Sequence, residues 1–298
     1  MEKCPDGNSL KMIRLQRVVV VDFTGRLGNR LILLSHLIAA GMEYGFEVWN
    51  LAFKSYADGF EAFQKNDFCM WPESLGVVLP AWMHRPLRRM IKVMAVHCPA
   101  RSVLHFYDRS GLGTIFLDSD EFAALRKQHR NLVLWGYDFR CPNLVEKHGE
   151  LLRNLFRPSA GIRQKVDSWK ARSGLIGKEW STLHVRRGDY REFEEGRYFY
   201  QAYDYLAWVD SLREMGRSVV VCGDDEEICR ELASKEGVLL GPGEPFSDLF
   251  AMSESTLIAG PPSTFSSWAA WRGRKKLLVL SRSQQKLNEA EARVPELV

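Results

Sequence analysis

The sequence predicts an α/β protein of two domains, on three observations. Short β-branched runs alternate with amphipathic segments, most regularly after residue 160, and such βαβ alternation means a parallel sheet with helices on both faces. The 298 residues exceed what one small core organises. A hydrophobic fraction of 46% with 26% charged residues is that of a soluble globular chain, not a disordered one. The boundary is placed at 160, giving an N-terminal domain of residues 1–160 and a C-terminal domain of 161–298.

In the first domain, RVVVVDF (17–23) is β-branched almost throughout, the mark of a strand buried on both faces. GRLGNR (25–30) follows and leads into an apolar segment, 31–44, with helical spacing. Strand, glycine turn and helix expose backbone N–H groups at a helix N-terminus, a natural anion site. The glycines are three apart, so the dinucleotide fingerprint GxGxxG is absent, and a tight turn is the plainer reading. A second strand is expected at 47–53. From 54 to 80 the pattern is interrupted by Asp58-Gly59, Trp71-Pro72 and Pro80. PLRRMIKVMAV (86–96) reads as a short amphipathic helix that, with Arg85, brings four cations together. It is either a cover for the core or a contact with a membrane or lipid-linked acceptor. A strand at 131–137 and a helix at 146–156 complete this half.

The second half begins with a helix at 160–172 and a strand at 180–185. That strand runs into TLHVRRGDY (182–190), where Gly188 breaks the pattern. Helix 203–215, stopped by Gly216, precedes a buried strand at 218–222, Gly223-Asp224-Asp225, and a helix at 226–235. Strand 238–240, helix 247–254 with Asp248 in its first turn, strand 256–259, a helix through Trp271 and strand 276–280 follow. The loops after three strands carry Arg186 and Arg187, Asp224 and Asp225, and Ser263 and Thr264. In an open α/β sheet, ligands sit beyond the carboxyl ends of the strands, so these loops form one expected site. A guanidinium there fits phosphate oxygens two at a time.

A net charge of +4 suits an anionic substrate such as a nucleotide but is too weak to argue for a nucleic-acid partner, and none is expected. Six cysteines without a CxxC pair predict reduced thiols in a cytoplasmic protein and no metal knuckle. The first seventeen residues lack an apolar leader core, and no apolar run reaches the roughly 18–20 residues needed to cross a bilayer.

Taken in order, these segments resemble the GDP-fucose-dependent fucosyltransferases. HVRRGDY is similar to the His-x-Arg-Arg-x-Asp motif shared by the α1,2-, core α1,6- and protein O-fucosyltransferases. GRLGNR resembles the GGLGNQ of the α1,2 family, with Arg26 for its second glycine and Arg30 for its glutamine. DLFAM (248–252) and PSTFSSWAAW (262–271) resemble the closing segment of that family. The resemblance implies a GT-B fold, two Rossmann-like domains facing across a cleft, with an acceptor-side N-terminal domain and a GDP-sugar-binding C-terminal one. It implies transfer of fucose from GDP-fucose, in α1,2 linkage, to an oligosaccharide or glycolipid, without cofactor or metal. Other GDP-sugars, or a non-catalytic GDP- or glycan-binding protein of the same fold, are the alternatives.

By the same resemblance Arg186 binds the β-phosphate and His184 lies near the nucleotide. Arg187 and Asp189 support that loop. Asp225 or Asp224 accepts from guanine, and Ser263, Thr264 and Phe265 line the diphosphate and ribose. The backbone of Gly25, Arg26, Leu27, Gly28 and Asn29 faces the sugar. Glu194, ten residues after His184, takes the offset of an acceptor-side glutamate, with Glu192 and Glu195 as rivals and Asp22 a lesser candidate. Negative charge grows on the departing GDP, so fixed cations act there on the transition state, and a carboxylate must take the acceptor proton.

Overall fold

A computed structural model describes residues 16–21, 25–64, 69–72, 80–97, 105–108 and 113–297. Among them, the first half contains β1 (Arg17–Val20), α1 (Leu27–Tyr44), β2 (Glu47–Asn50), β3 (Met70–Trp71), α2 (His84–His97), β4 (His105–Asp108) and β5 (Ile115–Phe116). α3 (Asp120–Gln128), β6 (Asn131–Trp135), β7 (Phe139–Arg140), α4 (Pro142–Lys147) and α5 (Gly149–Leu155) follow. The second half contains α6 (Ala160–Arg172), β8 (Trp180–Val185), α7 (Ala202–Glu214), β9 (Ser218–Gly223) and α8 (Glu226–Ala233). It ends with β10 (Val238–Leu240), α9 (Pro245–Glu254), β11 (Leu257–Gly260), α10 (Thr264–Gly273) and β12 (Lys276–Val279).

Two five-stranded sheets result, in the orders β3-β2-β1-β6-β4 and β10-β9-β8-β11-β12. Every pairing in them is parallel except that of β3 with β2. This is the GT-B arrangement of two Rossmann-like halves. β1 sits at the centre of its sheet because its valines serve both faces: Val18 and Val20 pack with α1, Val19 and Val21 with Leu87 and Ile91 of α2. All six residues of β8 are buried, as a central parallel strand requires.

The halves share one apolar core. α1 packs against α10, and Trp268 of α10 meets Phe60 and Phe156 with ring centroids 6.1 and 5.6 Å apart. Leu31, Phe60, Phe156, Phe250 and Trp268 belong to that same cluster.

Several boundaries differ from the sequence reading. The helix expected at 146–156 is two helices, α4 starting on Pro142 and α5 starting after His148, whose backbone leaves the helical region. The second strand ends at Asn50, where the chain turns and Phe53 N–H donates to the Asn50 carbonyl. β4, α3 and the two-residue pair β5 and β7 had no expected counterpart. α3 is nonetheless signalled locally, since the Ser119 hydroxyl accepts from Phe122 N–H as its N-cap.

Candidate functional site

From β8 the chain crosses to β9 on one side, while β11 pairs on the other. The order reverses beside β8, and the crevice beyond the strand ends at such a reversal is where α/β sheets hold ligands. A cavity of about 410 Å³ lies there, between the two halves. Arg26, Leu27, Gly28 and Tyr56 line it from the first half. His184, Arg186, Gly223, Asp224, Gly243, Pro245, Asp248, Ser263, Thr264 and Phe265 line it from the second. A larger depression, about 720 Å³, opens at the other end of β8 around Trp180. Its inner cations are already engaged: Lys170 with Asp167 and Glu254, Arg272 with the Ser253 hydroxyl and the Phe156 carbonyl.

Two helix N-termini meet at the smaller cavity. The first turn of an α-helix leaves its N–H groups without helical partners, and Arg26 gives α1 no side-chain cap. α10 is capped by the Ser263 hydroxyl, which accepts from Phe265 N–H at 3.3 Å. Gly28 lets the two helices touch: a Cβ there would lie 2.6 Å from Phe265 N. At the end of β9, a Cβ on Gly223 would stand 1.9 Å from the Val185 carbonyl oxygen, so that strand end admits only glycine.

The charged floor is a network. Arg186 Nη1 donates to Asp224 Oδ2 at 2.5 Å, and its Nη2 lies 2.6 Å from Asp189 Oδ1. Asp224 Oδ1 also accepts from the backbone N–H groups of Arg187 and Gly188, at 2.8 and 3.2 Å. Arg26 reaches in from the other half, 3.6 Å from Asp224 and 3.7 Å from Asp189. One carboxylate thus sits in a cradle of two N–H groups and two guanidinium groups, the donor set that suits a phosphate. Tyr205, buried on α7, fixes the Arg186 backbone by accepting from its N–H and donating to its carbonyl.

His184 lies beneath, stacked on Phe265 with centroids 5.5 Å apart. Burial, reinforced by the Arg186 charge, lowers its pKa to about 4, so the ring is neutral at neutral pH. Its Nδ1 is buried with no hydrogen-bond partner. Asp248 is the second buried polar group on the cavity. Burial raises its pKa to about 6 against the Gly243 N–H, which its Oδ1 accepts at 2.9 Å, with the Glu244 charge adding to the rise.

The remaining expected residues fall around this centre. Gly25 holds the turn at φ 79°, with Asn29 folded against it and its carbonyl accepting from Arg30 Nε. Neither Gly25 nor Asn29 lines the cavity. Arg187 pairs with Asp225 at 2.8 Å and stacks over Phe199. Asp225 is not a lining residue: it caps α8 through Ile228 N–H, and its other oxygen holds Arg187. Glu192, Glu194 and Glu195 are exposed, none lines the cavity, and Glu194 stands 3.9 Å from Arg197. Asp22 lies outside the described residues. Sequence reasoning missed Tyr56, Gly223, Gly243, Pro245 and Asp248 as site residues. Asp248 carried two signals, an acid in the first turn of a largely apolar helix and its place at the head of DLFAM.

No protein-family model matches the chain, and no curated protein matches it. Solved structures do share its fold. A variant of Arabidopsis thaliana FUT1 in complex with GDP aligns with a TM-score of 0.58 at 14% identity, over 95% of this chain and 74% of that one. NodZ alpha-1,6-fucosyltransferase soaked with GDP-fucose gives 0.52 at 15% identity, over 91% and 97%. POFUT1 in its apo form gives 0.50 at 12%, over 92% and 97%. At such identities the likeness is one of fold.

Proposed function

We propose that this chain is an inverting glycosyltransferase that moves L-fucose from GDP-β-L-fucose to a hydroxyl of an oligosaccharide or glycolipid. The observation that carries the reading is the cradle around Asp224, placed at the sheet's order reversal in a fold whose solved neighbours include a FUT1 variant with GDP and NodZ soaked with GDP-fucose. Residues 161–298 are assigned the donor and residues 1–160 the acceptor, in a cytoplasmic protein.

In this reading the diphosphate takes the place Asp224 and Asp189 occupy on the Arg186 fork. Arg26 adds a second cation from the facing half, and the N-termini of α1 and α10 aim their N–H groups at the same charge. Both arginines then oppose the charge that grows on GDP as the glycosidic bond breaks, without assistance from a metal ion. His184 and Phe265 offer a stacked, neutral wall to the nucleoside. Asp248, the buried carboxylate on the cavity, accepts from the guanine N–H groups, a role that fits its surroundings better than those of Asp225. Glu194 is proposed as the base, brought to the acceptor hydroxyl by movement of its loop. The α1,2 linkage rests on the resemblance of GRLGNR and PSTFSSWAAW to that family alone.

The test is transfer from GDP-fucose to an acceptor-sugar array, with and without chelator, followed by linkage analysis of the product. Turnover that survives chelation is expected. Arg186→Ala should lose turnover and weaken GDP binding by about 1.5–3 kcal/mol, the worth of a hydrogen bond to a charged group. Preference for another GDP-sugar, or GDP binding with no transfer to any acceptor, would move the assignment to the corresponding alternative.

A further inference from the structure

The second helix of the first half carries a face that nothing described covers. Leu87 and Ile91 turn inward and pack on the sheet beside Val19, Val21 and Val133. Of its four cations, two also serve the fold: Arg88 donates to the Val21 carbonyl at 3.3 Å, and Lys92 stands 3.6 Å over the Trp135 ring. The other two, Arg85 and Arg89, are exposed and one helical turn apart. Beside them Met90, Val93 and Met94, spaced three and four residues apart, are about half exposed. Trp82, just before the helix, is 73% exposed. The other large exposed apolar side chains are spread one to an element or loop, so this cluster is unlike the rest of the described surface.

We propose that this face docks on an anionic lipid bilayer. A row of apolar side chains flanked by arginines, with a tryptophan at the end, is the composition that lies in a membrane interface. Charge complementarity selects the partner. Residues 80–97 contain no Asp or Glu, so a second copy would bring arginine against arginine. Among the described residues the face is the outer side of one helix, which forms no groove for a peptide but meets a flat headgroup layer along its length. It does not insert as a span, since no helix among the described residues is long and apolar enough to cross a membrane. Arg88 ties the helix to the carboxyl end of β1, the strand that leads into Gly25 and the cavity wall. Docking there holds that edge of the molecule toward the lipid.

The experiment is flotation of the full chain with vesicles of phosphatidylcholine alone and of phosphatidylcholine mixed with phosphatidylglycerol, in the absence of any nucleotide. Binding to the mixed vesicles only, weakened by salt, is expected. Replacing both arginines (Arg85→Gln with Arg89→Gln) should weaken it by about twenty-five-fold, roughly five-fold for each basic residue at such a surface. Met90→Ser with Val93→Ser should weaken it by roughly ten-fold or more at unchanged charge. Both pairs are exposed, and an unchanged denaturation midpoint verifies their folding. Equal binding to both vesicles, or variants that bind as the parent does, would overturn the proposal. So would dimers dissolved by the serine pair, or binding to polyglutamate without binding to vesicles. The donor assignment can fail while this result holds, because no step of the assay uses it.

Discussion

Asp248 is the residue whose chemistry is most exposed to test. It is a carboxylate buried on the cavity, with one N–H to lean on, and burial holds its pKa near 6. The guanine edge presents two N–H groups, and only the ionised carboxylate offers them two accepting oxygens, so a ligand that uses Asp248 in this way binds the ionised form and lowers its pKa. By linkage, affinity for GDP then falls as pH drops below about 6, by at most about ten-fold per pH unit for one proton. A phosphate titrates in the same range, so the readout is the difference from Asp248→Asn. Calorimetry should find the variant weaker by about 1.5–3 kcal/mol at neutral pH, with the wild-type excess shrinking toward acid. A constant difference across that range would remove Asp248 from the base-recognition role. Legibility at this scale divides by distance along the chain. Arg186, Asp189 and His184 were readable because the strand and its loop are contiguous. Asp248 and Tyr56 come to the cavity by tertiary packing, and Asp225 looked equivalent to Asp224 until the α8 cap claimed it.

At the scale of elements, the contact that joins the halves at the site is α1 against α10. Gly28 faces mostly backbone there: Phe265 N and Thr264 C would lie 2.6 and 2.8 Å from an added Cβ, with the Thr264 hydroxyl oxygen at 2.7 Å. Gly28→Ala must therefore separate the two N-termini. Overpacking of this kind costs about 1–3 kcal/mol, and the parted helices should bind GDP more weakly. Gly161→Ala is the control, because nothing lies within 4 Å of that position and alanine favours the helix by up to about 1 kcal/mol. Denaturation midpoints for the pair check the prediction; equal behaviour would mean the helices yield freely. Elements of the second half were legible because the central strands β8, β9 and β11 are buried along nearly their whole length and each helix has a start or stop signal, such as Gly216 at φ 78° closing α7. β5 and β7 are two residues each, too short for any period to appear, and they exist because they pair with each other.

For the whole molecule, the shared core and two buried histidines bear on a single property, stability against acid. His36, inside α1, accepts from Cys141 N–H on Nδ1 at 2.9 Å, and burial with the nearby Arg140 charge lowers its pKa to about 3. His184 is lowered to about 4 in the other half. Both are neutral when folded, whereas the unfolded chain takes up their protons near the ordinary value of 6.5. Their contribution is therefore complete above about 6.5 and is lost as pH falls toward the folded values. Asp248 has the opposite sign: raised from 3.8 to about 6, it favours the fold below 3.8, and that contribution is lost as pH rises through 6. Two lowered histidines against one raised aspartate give a net loss on acidification between about 6.5 and 4. Because Phe60, Phe156, Phe250 and Trp268 form one cluster across both halves, neither half can expose its histidine alone without opening that core. Calorimetry from neutral pH down to about 4 should thus find one transition whose midpoint falls steadily. Two transitions that separate on acidification would mean the halves unfold independently, and a midpoint that rises would mean Asp248 outweighs both rings.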